Sequence, residues 1–555
     1  MPEMGWPMLV AILAFICLTT RVISGLRSEK AGTDQPRSVR MVPYWFPWVG
    51  HGISFAWNHV KLVGKARDRL NEPIIGLYMG GRKHAMVVSP SMAKSSMASR
   101  SASSTTLIHY ALETIFGDHK AALRSLDPAG YKEFHHTIPN HMLREPFISE
   151  ATAVLVRMIE LETPNLVTFC HSVVDQALWE RGSDLTVVGE PGKSACEVNF
   201  FALIRNFVGQ ATTATLMGQA ILDVYPNLLK DVWTLDDRFP FVAMGLPRWL
   251  PIPGLTAAYA ARNRLLEAMA AFQQAFNYWD DGIDPGIKFR DLDDVCKPIK
   301  QRMRLSKSLG LTPQSCAPGH LSLLWAMNGN SPNIVFWHLL RLYTDPTLLE
   351  EIRKEIAPHA KASRPTREET GFPFHEPPKI SIDTEGLFKS CHLLKASFYE
   401  TLRLDAAPLS FRELTSDLII RESDKDAEIA GTGQPRAYEV KKGASISVIH
   451  GVIHNDARYF SNPGQFDPLR FILADPETGA RQAKLHTINP FGIGTSGCKG
   501  RVFAEKESLA FVAAIISLWD IKSVDGQGLS LPKHRPSTGV YLPKKDIRVR
   551  ISSRV

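Results

Sequence analysis

The residues best suited to do chemistry surround Cys498, in Phe491-Gly492-Ile493-Gly494-Thr495-Ser496-Gly497-Cys498-Lys499-Gly500-Arg501, directly before a long apolar helical pattern. A cysteine in a Gly-rich turn at the mouth of a helix is placed to be a thiolate. Backbone N–H groups and the helix dipole favour the anion, and a metal would favour it further. Which metal or reaction the thiolate serves is open on these residues alone. The stretch also spells Gly492-x-Gly494-x-x-Gly497, the spacing of a dinucleotide fingerprint, with Asp520 where a ribose-binding acid would stand. That fingerprint needs a strand directly before it and a βαβ unit around it. His486-Thr487-Ile488-Asn489-Pro490 breaks any strand, so the nucleotide reading is set aside. A plain turn with a buried cysteine is the bland alternative.

Three further groups bear on Cys498. Glu400-Thr401-Leu402-Arg403 lies in the helical run from Cys391 to Leu404, and a spacing of three puts acid and guanidinium on one face. Such pairs are common on surfaces and worth little there. Phe466-Asp467-Pro468-Leu469-Arg470-Phe471 sits in an irregular Pro/Gly-rich stretch, where a fixed arginine could fork onto a buried carboxylate. A helical pattern from about Leu321 to Leu342 contains Trp325-Ala326-Met327-Asn328-Gly329-Asn330-Ser331-Pro332. Glycine, amides, hydroxyl and proline in mid-helix weaken it, and the proline is expected to leave a kink and a freed carbonyl. Such a fault is either a packing accident or a site.

The elements that must position these groups are mainly helical. Ile74 to Val88 reads as two short strands around Gly80-Gly81, residues 90–290 carry helical periodicity, and 413–450 alternate as short strands. Gly245 to Gly254 is apolar yet rich in breakers, a loop expected to touch lipid or cover a pocket. Residues 356–385 look like a surface insertion. The expected fold class is mainly α with a smaller β region, preceded by a membrane helix. The 555 residues are 44% hydrophobic, enough for a large core. Seven scattered cysteines without a CxxC exclude a disulfide framework and a thiolate zinc site. A net charge of +8, spread over 64 basic and 56 acidic residues, excludes a nucleic-acid pattern but suits an anionic membrane or an acidic redox partner.

Trp6 to Thr20 is apolar and is followed by Arg21, Arg27 and Lys30. With the basic residues all after the run, an uncleaved anchor with a cytosolic body is favoured over a signal peptide or a buried helix. The rigid aromatic Pro43-Tyr44-Trp45-Phe46-Pro47-Trp48 follows as a link at the interface. The expected organisation is an anchor over 1–25, a Pro-rich linker over 26–50 and a catalytic domain over 51–555.

In combination and order these features resemble the cytochrome P450 family, of the microsomal, membrane-anchored type. The resemblance rests on Glu400-x-x-Arg403, Phe466-x-Pro468-x-Arg470-Phe471 and Phe491-x-x-Gly494-x-x-x-Cys498-x-Gly500, and covers essentially residues 40–553. It implies a cytochrome P450 fold and haem b with Cys498 as its axial thiolate, the ligand that favours O–O cleavage. It implies that Phe491 packs beside the haem and that Gly494 and Gly500 let the backbone approach it. Glu400, Arg403 and Arg470 would form a structural triad, and Arg412 would face a haem propionate. His454 and Asp456 lie in the approach to the Arg470 segment, and Gly539 to Pro543 resembles a hairpin beside the substrate pocket.

The departures are informative. Where many members carry Arg or His two positions before the cysteine, this chain has Ser496, and no Trp-x-x-x-Arg occurs near Tyr131 to Arg144, where His135, His136 and His141 stand instead. The acid–alcohol pair over the haem is spelled Asn330-Ser331, similar to the branch with the bile-acid sterol hydroxylases and prostacyclin synthase. That branch holds oxygenases and an isomerase. Ser331 offers a hydroxyl and Asn330 can hold a water, so a proton relay survives and a monooxygenase is favoured over a peroxide isomerase or dehydratase. A non-enzymatic haem-binding scaffold is the third reading. The resemblance implies electrons from NADPH-cytochrome P450 reductase, with Lys499 and Arg501 near the docking side, and a single-pass protein of the endoplasmic reticulum. Its expected substrate is a sterol, triterpenoid or other terpenoid, in fungal secondary metabolism.

Overall fold

The computed structural model describes residues 6–26, 36–189, 194–371, 377–406, 408–475, 479–494, 497–535, 537 and 539–555. The described elements are mainly helices, with short strands gathered into small sheets. Two compact units share the chain, one made of residues 1–108, 406–465 and 485–498, the other of 109–405, 466–484 and 499–555.

The first unit is built on a five-stranded sheet in the order Ile74–Met79, Arg82–Val87, Ser445–Ile449, Leu409–Leu414, Ala102–Ser103. The Gly80-Gly81 turn is as expected, and both glycines take positive φ, which the tight hairpin needs. Leu409–Leu414 alternates, so that Ser410, Arg412 and Leu414 are buried. The N-terminal helix Trp6–Leu26 has an apolar window, Met8–Gly25, long enough to cross a membrane. Its 21 residues reach about 30 Å, the thickness of a hydrocarbon core. The helix runs past the apolar run and includes Arg21, whose guanidinium donates to the Pro43 carbonyl and lies 5.1 Å from the Trp45 ring centroid. Arg27 and Lys30 lie outside the described residues. The described part of the expected linker is tied to the sheets: Arg37 and Ser38 pair with Tyr438 and Glu439, and Met41 bridges to Gly76.

The second unit is helical. Its longest described helices include Leu255–Asp280, Phe200–Met217, Arg501–Leu518 and Phe147–Glu162. Arg501–Leu518 is buried from Glu507 to Ile516 and apolar all round from Leu509 to Ile516, the signature of a helix at the centre of a core. A four-stranded sheet runs Trp519–Ser523, Arg548–Ser553, Ala195–Asn199, Thr186–Val188. Its last two strands interrupt a region that reads as helical in sequence. Part of the expected insertion forms a hairpin of Ala360–Ser363 on Lys379–Ile382, with 372–376 outside the described residues.

The central helix departs most from expectation. It is two helices, Pro313–Asn328 and Ser331–Tyr343, broken at Gly329 and Asn330. Pro332, expected to kink a continuous helix, stands in the first turn of the second one, where a missing N–H costs nothing. At the break, Asn333 Nδ2 donates to the Gly329 carbonyl at 2.8 Å. The 245–254 loop is half packed. Leu246, Leu250 and Ile252 pack on the core, Tyr259 Oη donates to the Leu246 carbonyl at 2.6 Å, and Trp249 is 77% exposed.

Candidate active site

In the first unit, the Cys498 turn is held by its own backbone. Cys498 N–H donates to the Phe491 carbonyl at 2.8 Å and Gly497 N–H to the Gly494 carbonyl at 3.0 Å. These bonds close the loop without using the thiol, and Cys498 is exposed. Gly494 has φ +72°, and a Cβ there would lie 2.5 Å from the Met97 carbonyl oxygen. Its glycine requirement therefore includes a close neighbouring backbone within the same unit. The approach is fixed by His454, buried and accepting the Asn489 N–H on Nε2 at 3.2 Å. Asp456, also buried, pairs with Arg67 at 2.8 Å and Arg458 at 2.6 Å. Phe491 is half-buried, and Ser496 lies outside the described residues.

Arg412 fits an anionic ligand group. It is 5% exposed, its Nη1 donates to the Phe411 carbonyl at 2.6 Å, and among the described residues no carboxylate forms an ion pair with it. Burial without an acid pulls its pKa below the usual arginine value. A buried guanidinium without a counter-charge is costly, and a haem carboxylate would supply one.

In the second unit, Glu400, Arg403 and Arg470 come together. Arg403 forks onto Glu400 through Nε and Nη2, both at 2.7 Å, and both residues are fully buried. Arg470 Nε stands 3.5 Å from Glu400 Oε1, which also accepts the Asp467 N–H at 3.0 Å. The helix His392–Asp405 and the segment Pro468–Phe471 are joined by this network. Gly500, the N-cap of Arg501–Leu518, has φ −85° and ψ 2°, a conformation open to other residues.

Asn330 and Ser331 part company in the structure. Asn330 Oδ1 accepts the Val540 N–H at 2.9 Å, which ties it to the 539–543 segment. A Cβ on Gly539 would collide with that oxygen at 2.1 Å. Ser331, 9% exposed, lies instead beside a residue that sequence reasoning missed, Glu507. Glu507 is fully buried on Arg501–Leu518, and Thr212 of Phe200–Met217 donates to its Oε1. Burial pushes its pKa up to about 7 against the ionising influence of the Thr212 and Ser331 hydroxyls. Among the described residues Oε2 has no partner of ordinary hydrogen-bond geometry, although Ser331 is near enough to favour the anion. The arrangement is a buried carboxyl able to hold or release a proton near neutral pH next to a serine hydroxyl. Its sequence signal is faint, because Glu507 follows Glu505 and Lys506 and reads as part of a charged first half of the helix.

The family comparison sets the class, a haem-binding oxidoreductase. The cytochrome P450 family pattern matches residues 41–551, and the chain belongs to that family. It is 25% identical to the cytochrome P450 monooxygenase poxD of Penicillium oxalicum, over 88% of each chain. It is also 25% identical to the 25-hydroxycholesterol 7-alpha-hydroxylase of Rattus norvegicus, over 64% of this chain and 78% of that one. Identity to the cytochrome P450 monooxygenase efuG of Hormonema carpetanum is 27% over 60% of each.

Proposed function

We propose that the chain is a haem-thiolate monooxygenase that oxidises a sterol, triterpenoid or other terpenoid in fungal secondary metabolism. In this reading Cys498 is the axial ligand, Arg412 neutralises a carboxylate of haem b, and Glu400, Arg403 and Arg470 hold the surrounding core. When bound, the haem activates dioxygen for insertion into a C–H bond, helped by the thiolate. Electrons come from NADPH-cytochrome P450 reductase. Residues 1–25 anchor the protein to the endoplasmic reticulum membrane in a single pass, 26–50 join the anchor to the body, and 51–555 form the cytosolic catalytic domain. The family match and the apolar N-terminal helix support this arrangement. The substrate class is supported by the likeness to a sterol hydroxylase, and the setting by the likeness to two fungal monooxygenases.

One observation favours oxygenation over peroxide isomerisation: Ser331 beside Glu507, whose pKa is pushed up to about 7. Oxygen activation consumes protons, which a buried carboxyl and a hydroxyl can hold and pass. Isomerising a peroxide consumes none. Asn330 serves in this reading by fixing the 539–543 segment that begins the wall of the substrate pocket.

The test is turnover in microsomes containing reductase, with a panel of sterols and terpenoids under isotopically labelled dioxygen. One labelled oxygen atom should enter the product, and only with NADPH. Ser331→Ala should divert about 90% or more of the electrons to peroxide, in line with the loss of a proton-transfer group. Label-free product formed without reductase would favour the isomerase.

A further inference from the structure

Within the second unit, one acid holds three elements at once. Asp405 ends the helix His392–Asp405, and its side chain is fully buried. Arg341 of Ser331–Tyr343 forks onto it, with Nε 2.9 Å from Oδ2 and Nη2 2.8 Å from Oδ1. His534 Nε2 reaches the same Oδ1 at 2.8 Å, and the Asp405 carbonyl accepts the Tyr541 N–H at 2.8 Å. His534 and Arg535 pair antiparallel with Pro543 and Leu542, so Asp405 grips both sides of one small hairpin. Through Arg341 it also ties that hairpin to the central helix.

The chemistry of this clasp fixes which group donates. Burial opposes ionisation of Asp405, but Arg341 and then His534 bring its pKa below the ordinary value. An ionised carboxylate only accepts, so His534 donates from Nε2, which carries a proton in the imidazolium and in one neutral tautomer alike. The His534 ring also stacks on Tyr541, with centroids 4.4 Å apart and planes 13° apart, and meets Trp337 edge-on at 4.8 Å. Trp337 Nε1 in turn donates to the Tyr541 carbonyl at 2.7 Å. The neighbouring Val540 N–H donates to Asn330, one residue before Ser331. A line of direct contacts therefore runs from Asp405 through the hairpin to the break in the central helix. Arg535 gives the first strand a second tie, to Asp237 at 2.8 Å, but both of those side chains are partly exposed and the pair is weak. A hydrogen bond to a buried charge, as His534 makes, is worth more.

We propose that His534 is a positioning residue for the substrate-pocket wall: its bond to Asp405 fixes the hairpin against the central helix and so sets where the 539–541 backbone stands beside Asn330 and Ser331. The inference rests on the haem-thiolate reading, in which the 539–543 segment begins that wall. Removing His534 does not dismantle the fold around it. Asp405 keeps its bidentate partner Arg341, and Val540 N–H, Tyr541 N–H and the Tyr541 carbonyl keep their bonds. What is lost is the tie between the first strand of the hairpin and Asp405, which leaves the wall free to shift under a large molecule.

The experiment is titration of the full-length ferric holoprotein with two iron ligands, imidazole and the bulky triaryl azole clotrimazole, followed by the shift of the haem absorption band. Both bind iron through a ring nitrogen, but only the larger one reaches the wall. His534→Ala should weaken clotrimazole binding about fivefold and change imidazole binding by less than about twofold, in line with losing one hydrogen bond to a charged group. His534→Gln keeps a donor that reaches Asp405 and should restore the wild-type ratio of the two affinities. His534→Phe keeps a ring without a donor and should behave as His534→Ala. A merely structural role would lower the denaturation midpoint of the variants and leave the ratio of affinities at the wild-type value, which overturns the proposal. Rescue by His534→Phe and not by His534→Gln also overturns it, because the effect would then belong to the Tyr541 stack and not to the Asp405 bond. Failure of the underlying reading looks different: wild type would then lack the red-shifted carbon monoxide band of a thiolate-ligated ferrous haem, and neither azole would shift its spectrum.

Discussion

The Cys498 turn and the Thr212–Ser331–Glu507 group are built in opposite ways. The turn is one contiguous stretch whose shape comes from backbone hydrogen bonds and positive-φ glycines, and its thiol stays exposed. The proton-holding group draws three side chains from three helices, far apart in sequence and all buried. A ligand that must meet a metal is presented by local backbone geometry. A carboxyl that must hold a proton near pH 7 needs desolvation, which only tertiary packing supplies. The turn should therefore tolerate loss of its functional atom, and the buried group should not.

Cys498→Ser gives the largest functional effect. It should abolish the red-shifted carbon monoxide band and all turnover, because a neutral hydroxyl cannot replace the thiolate. The Cys498 N–H to Phe491 carbonyl bond is a backbone bond and survives, so thermal unfolding of the haem-free protein should be almost unchanged. A persisting thiolate band would move the ligand to another cysteine.

Glu400→Gln tests the buried side of the contrast. It leaves Arg403, fully buried, with a neutral partner in place of a bidentate carboxylate, and weakens the Arg470 contact. Breaking a buried pair of this kind costs about 3–5 kcal/mol. The expected outcome is a lower denaturation midpoint together with low haem content. Unchanged stability with lost activity would make the triad catalytic rather than structural.

The contrast also explains what was legible in the sequence. Cys498, Gly494 and the Glu400-x-x-Arg403 pair are short-range patterns, whereas the approach of Arg470 to that pair depends on a segment some 70 residues later. The hairpin of Ile74–Met79 and Arg82–Val87 was readable because alternation and a Gly-Gly turn are local. Ala195–Asn199 was not: beside its local partner Thr186–Val188 it pairs with Arg548–Ser553, some 350 positions later, as in the pair of Cys196 with Ile551. The break at Gly329 was visible as a fault, but its resolution was not. Asn333 takes the Gly329 carbonyl, and Val540 occupies the Asn330 acceptor from the far end of the chain. The sequence did contain a start signal, a polar pair followed by proline, that reads equally well as a new helix. Glu507 needed burial to matter, and burial is a tertiary property.

Glu507→Gln separates the two consequences of that burial. On folding, the Glu507 pKa rises from the ordinary 4.5 to about 7, so the folded state binds a proton that the unfolded state has already released. Stability conferred by the protonated form is fully present below about pH 4.5, declines as pH rises, and reaches its lowest level above about pH 7. The penalty there is about 3 kcal/mol for a fully buried carboxyl. Gln resembles the protonated acid and does not titrate, so the variant should be more stable than wild type at pH 8 and similar at pH 5. Its coupling of electrons to product should fall at every pH, because the amide cannot release a proton toward Ser331. Thermal unfolding across this pH range, paired with peroxide release during turnover, reads both effects. A variant that unfolds with the wild-type pH profile would show that Glu507 is ionised in the folded protein.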